Sequence, residues 1–204
     1  MTTKQAGKAD TKPHLSSDRL ASLSDTMFGV AMTLVVTTLL PSIQALKGSV
    51  ADIFSSMHSE LITVVISFAV SARYWVSQQQ RLAKTETVSQ RQTQLNLIFL
   101  FLIVLVPIST TILALAGSAP TLGSTMTYGG HLTAIALVNL LLWIEVHGST
   151  DVRLQIATSS LALALFVVAL AVGAWRPDLA TYFWLAVLAT QPLGRYLARR
   201  LLKL

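Results

Sequence analysis

Six long apolar stretches separated by short polar segments dominate the chain: about residues 20–40, 61–77, 95–116, 132–146, 156–175 and 180–197. A bilayer-crossing helix needs roughly 20 mostly apolar residues, and each stretch is of that order. The pattern predicts an all-α polytopic membrane protein with six transmembrane helices per subunit. Residues 1–18 form a polar leader, expected to be flexible and cytoplasmic, and residues 19–204 form one six-helix membrane domain. No separate soluble domain fits between the spans. The first span is not expected to be a cleavable signal, because a polar leader precedes it and no small-x-small site with a mature domain follows. Ser17 and Asp18 can cap the first helix, and Pro41 can stop it. Pro107 inside span three should kink that helix and free a backbone carbonyl. Gly117-Ser118-Ala119-Pro120, Gly148-Ser149-Thr150 and Arg176-Pro177-Asp178 read as the later turns.

Composition agrees. The chain has 204 residues, 53% hydrophobic and 12% charged, with a mean hydropathy of +0.63, whereas a soluble domain carries about 25% charged residues. No cysteine is present, so disulfides, thiolate metal sites and a cysteine nucleophile are excluded. The net charge of +6 resides in loops and tails, so it reports orientation and implies no nucleic-acid partner. Lys4, Lys8, Lys12, Arg19, Arg81, Lys84, Arg91, Arg153, Arg195, Arg199, Arg200 and Lys203 fall on one side. Lys47 and Arg176 fall on the other, with Arg73 inside span two. The positive-inside rule then places both termini in the cytoplasm, as an even number of spans requires.

Candidate chemistry concentrates in span one. Thr26, Val30, Thr33 and Thr37 recur at i, i+4, i+7 and i+11 and share one narrow stripe at 100° per residue. Hydroxyls can replace part of an ion's water shell, and a branched apolar ring can narrow or dewet a pore. The same small residues also suit a helix–helix contact, and spacing alone leaves both readings open. Arg19, Ser24 and Asp25 sit at the mouth of this span, where ionisable groups usually face a bundle interior or a water path. Arg19 and Asp25 are six apart and cannot pair along one helix. They are expected to find partners on other spans, among Tyr74, Trp75, Gln78 and Asn96, in a polar network that is chiefly structural. Arg19 also falls near the azimuth of the threonine stripe, so it could instead line the pore mouth. Glu145, His147 and His131 read as interfacial residues. His58 and Glu60 are two apart and share no helix face, which argues against a metal site. Thr127-Tyr128-Gly129-Gly130 lacks the order and the pore helix of a potassium-filter loop. No P-loop, metalloprotease, nucleophile-elbow or paired-carboxylate motif occurs, so an enzyme is not expected. No internal repeat is evident, unlike in many secondary transporters.

Three stretches together resemble a known family. Arg19-x-x-x-Leu23-Ser24-Asp25, followed by Thr26-Met27-Phe28-Gly29-Val30, is similar to the R-x-x-x-F-S-D signature of transmembrane protein 175, the endolysosomal potassium channel, and of its bacterial relatives. The stretch from Ser67-Phe68 to Tyr74-Trp75 and Gln79-Gln80-Arg81 resembles the family's second span, which closes on Y-W-x-x-H-H-R. The stretch from Leu95-Asn96-Leu97 to Pro107-Ile108-Ser109-Thr110 resembles its L-N-L-L-F-L … L-P-F-S-T. Order and spacing match over residues 19–111. Leu23 replaces the signature phenylalanine. Gln79-Gln80 replace His-His, so a pH response carried by those histidines does not transfer.

The resemblance implies six-helix subunits assembled as a homotetramer, with the first helix of each subunit lining a central pore. By position after the signature aspartate it assigns Val30 to the constriction, Thr33 to selectivity and Thr37 to a further pore-facing site. The expectation is a leak-type channel passing K⁺ passively across a bacterial plasma membrane, with K⁺ as permeant ion and no cofactor. A secondary transporter or proton-coupled carrier is the alternative, and a non-transport structural membrane protein a third reading.

Overall fold

A computed structural model describes residues 16–40, 43, 57–85, 87–117, 119–147, 150–177, 179, 180, 184 and 190. Among the described residues the chain forms α1 (Ser17–Thr37), α2 (His58–Leu82), α3 (Gln90–Val104), α4 (Val106–Ala114), α5 (Leu122–Ile144) and α6 (Thr150–Trp175). One isolated bridge pairs Ser16 with Thr87. In hydrocarbon every backbone polar group needs a partner within the protein, which favours helix despite the many β-branched residues of α1. α3 and α4 together make one apolar span, Gln90–Ala114, so five helices have the length and composition to cross a membrane. The leader and most of the expected sixth span lie outside the described residues.

The ends of the helices explain where the sequence expectations shift. α1 starts at Ser17, and Ser16 makes no side-chain cap. Ser17 does not cap either: its Oγ donates to the Leu82 carbonyl at 3.1 Å and ties the start of α1 to the end of α2. α2 runs from His58 to Leu82, longer at both ends than the hydropathy window suggested. α5 starts at Leu122 because Thr121 and Ser124 form a capping box there. Thr127, Tyr128, Gly129 and Gly130 are therefore helical, and His131 lies mid-helix rather than at an interface.

Pro107 acts as expected. It has no N–H to donate, so α3 closes at Val104 and α4 restarts with Pro107 in its first turn. The Leu105 N–H closes the break on the carbonyls of Phe101 and Leu102, at 3.2 and 3.1 Å. Half-buried His131 spans this break, with Nε2 2.9 Å from the Leu102 carbonyl and Nδ1 2.7 Å from Ser109 Oγ. Gly117 ends the span at φ 60, a left-handed conformation that suits glycine.

The core lies between α2, α3, α4 and α5. Phe99 packs against Phe28 and Tyr74, with both centroid separations 6.0 Å. α5 and α6 pack most closely. A Cβ added at Gly173 would come within 2.7 Å of Thr125 Cγ2, the close approach that small residues permit between membrane helices. α1 rests on α2, α3 and α4.

Candidate functional site

α1 has two unlike faces. Leu20, Ser24, Phe28, Ala31 and Val35 are buried in the subunit. Thr26, Val30, Thr33 and Thr37 are all exposed, Val30 by 51%. At 100° per residue the two stripes are centred about 150° apart, so the threonine stripe points away from its own subunit. Gly29, Val30, Thr33 and Leu34 line an open depression on this face. A side chain at Gly29 would meet nothing within 4 Å.

The hydroxyls of the stripe have a fixed polarity. Thr26 donates to the Ser22 carbonyl at 3.0 Å, Thr33 to Gly29 at 2.8 Å and Thr37 to Leu34 at 2.7 Å. Each proton is thus spent on the helix itself, and the remaining oxygen lone pairs face outward as acceptors. Such a surface can accept from water or coordinate a cation. Val30, between Thr26 and Thr33, offers no ligand atom.

The polar residues at the start of α1 divide into separate sets. Asp25 Oδ1 accepts from Trp75 Nε1 at 2.8 Å and from Gln79 Nε2. Ser24, fully buried, donates to the Leu20 carbonyl at 2.7 Å and accepts from Gln78 Nε2 at 2.9 Å. Gln78 also donates to Asn96 Oδ1. The structure thus brings Ser24, Asp25, Trp75, Gln78 and Asn96 into contacts that lash α1 to α2 and α3. It does not bring in Arg19 or Tyr74. Arg19 is exposed on the same azimuth as the threonine stripe, and no hydrogen bond or ion pair holds it among the described residues. Tyr74 is buried against Phe99, and its hydroxyl has no hydrogen-bond partner among the described residues.

Sequence reasoning missed the centre of this network, Arg81, which it had placed among loop cations. Arg81 is 3% exposed. Its guanidinium donates to Gln78 Oε1, to Asn96 Oδ1 at 3.3 Å and to Asn139 Oδ1 at 3.4 Å. The charge bias between the two sides persists without it. Ser77 then donates to Asn139 at 3.0 Å and accepts from Trp143 Nε1 at 2.9 Å, while Asn139 reaches Ser159 at 3.3 Å. A second buried set joins α2, α4 and α5, where Ser67 Oγ lies 2.8 Å from both Tyr128 OH and Thr110 Oγ1. The signal that could have found them is the recurrence of Ser, Asn and Gln at helical spacing on otherwise apolar faces. Near the same end of the bundle, Glu145 pairs with Arg91 at 3.1 Å. No group of three metal-ligating side chains occurs among the described residues. Of the two glutamines that stand where the resembled family has His-His, Gln79 holds Asp25 and Gln80 accepts from Gln155 Nε2 at 2.9 Å.

Fold and surface together define a multi-pass α-helical membrane protein whose first helix leaves a hydroxyl-bearing face uncovered among the described residues. Residues 19–107 match the family model of the endosomal/lysosomal potassium channel TMEM175. The fold matches the crystal structure of a lysosomal potassium-selective channel TMEM175 homolog from Chamaesiphon minutus with a TM-score of 0.65 at 23% identity, covering 90% of this chain and 97% of that one. No curated protein sequence matches. The matched stretch is less than half of the chain, and the structural likeness shows a shared fold.

Proposed function

We propose that the protein is a homotetrameric, potassium-permeable leak channel of the plasma membrane, with four copies of α1 around a central pore. The carrying observation is the exposed stripe Thr26, Val30, Thr33 and Thr37 on a helix whose opposite face is buried. One such stripe cannot enclose a path, whereas four can. In this reading Val30 forms the constriction by size and dewetting. Thr33 offers K⁺ a partial replacement for water, and Thr37 and Thr26 line the wider parts. Arg19 lies at the mouth on the same azimuth. Asp25, Ser24, Trp75 and Asn96 hold α1 at its angle, and buried Tyr74 supports the packing beneath it. A sixth span and cytoplasmic termini complete the subunit, as the charge bias supports. Ions move down their gradient without a cofactor. The test is flux from liposomes holding the purified protein under K⁺ and then Na⁺ gradients. K⁺ flux without a proton gradient supports the reading, and transport that requires a proton gradient overturns it.

A further inference from the structure

At the end of the bundle where α1 begins, a small pocket opens beneath Leu20, with Arg81, Thr85, Gln92 and Asn96 among its lining residues. Two observations single it out. Arg81 is 3% exposed, yet its partners Gln78, Asn96 and Asn139 are all neutral, and its other close contact is the face of Phe99, 5.6 Å away. Asn96 is 2% exposed, and its Nδ2 is buried with no hydrogen-bond partner among the described residues. Its amide orientation is fixed, because Oδ1 already receives Gln78 and Arg81. Nδ2 is therefore a free donor. A buried charge without a counter-charge, and a buried donor without an acceptor, are both strongly unfavourable.

No acidic side chain among the described residues answers this charge. None lines the pocket. Asp25 is held by Trp75 and Gln79, Asp151 by Lys84, and Glu145 by Arg91. The pocket has room for a body of about the size of one water molecule. We infer that it binds a small monovalent anion, chloride in a cell, which neutralises the buried Arg81 and accepts from Asn96 Nδ2. Water would donate as well as accept, and would leave the guanidinium charge uncompensated. A bound anion here would join the start of α1 to α2, α3 and α5, and so set the footing of the first helix independently of what that helix conducts.

The test compares melting of the full-length protein in detergent in potassium chloride, potassium bromide and potassium gluconate at equal ionic strength, gluconate being too large for the pocket. Chloride and bromide should raise Tm saturably, by about 2–4 °C. Asn96→Asp, which removes the free donor and supplies an internal counter-charge, should abolish the difference. Crystals of the wild-type protein grown in bromide should show an anomalous peak between Arg81 and Asn96, a result that stands whether or not the variant folds. Equal Tm in chloride and gluconate, a shift that persists in Asn96→Asp, or density there without anomalous signal would each overturn the proposal.

Discussion

Val30 and Thr33 are neighbours on the exposed face of α1, yet they can act on an ion only in different ways. The Thr33 oxygen has given its proton to Gly29 and keeps its lone pairs as acceptors, which the proposed reading turns toward K⁺, while Val30 has only methyl groups. Thr33→Ala should therefore lower the K⁺/Na⁺ permeability ratio with conductance retained, and Val30→Asn should ease hydration of the narrow zone and raise flux. Reversal potentials and current amplitudes in one bilayer system separate the two. An unchanged ratio in an assembled Thr33→Ala channel would remove Thr33 from selectivity. Gln79 supports a second prediction. As a neutral amide bonded to Asp25 it donates at any pH. Gln79→His would place a titratable ring, with an ordinary pKa near about 6.5, beside a carboxylate. The imidazolium formed on acidification can pair with Asp25, whereas the neutral ring at higher pH cannot, so the added stability appears on the acid side. The variant should gain about 1 kcal/mol on acidification from about pH 8 to pH 6 relative to the wild type, read from melting curves at both pH values.

Helices in this fold are fixed less by hydrophobicity than by how closely their backbones approach and where polar groups meet. The α5–α6 contact turns on Gly173, where an added Cβ has no room beside Thr125. Gly173→Val should destabilise by about 1–3 kcal/mol through overpacking, lowering Tm by about 2–4 °C for each kcal/mol. A Tm equal to that of the wild type would mean that the two helices can separate without loss. Between α1 and α2 the anchor is Asp25, which receives Trp75 and Gln79. Asp25→Ala leaves two donors without their acceptor, at about 1.5–3 kcal/mol for each hydrogen bond to a charged group. Assembly yield, measured by size-exclusion chromatography, should fall together with flux. Normal assembly with altered selectivity would instead put Asp25 on the ion path.

For the whole molecule the decisive prediction is assembly. In the proposed reading, a helix with one buried and one exposed hydroxyl-bearing face needs further copies of the chain to enclose a path. Mass measurement or cross-linking in mild detergent should give four copies, and a conducting monomer would defeat the pore reading. The sequence by itself determined much of this architecture, because local physics is enough for it. Apolar length marks a span, and Pro107 must break the third one because it lacks an N–H. The 100° step of a helix also places Thr26, Val30, Thr33 and Thr37 on one face before any neighbour is known. Contacts between helices follow no such periodicity. Arg81 read as a loop cation, since a charge at a helix end is usually solvated, and only the convergence of Gln78, Asn96 and Asn139 from three helices buries it. His131 looked interfacial because hydropathy drops before residue 132. The Thr121 cap starts the helix earlier, and the break at Leu105 gives the imidazole its partners. The helices and the stripe were local properties of the sequence; which polar side chains are buried, and against what, was decided only by the tertiary packing that brings distant donors and acceptors into reach.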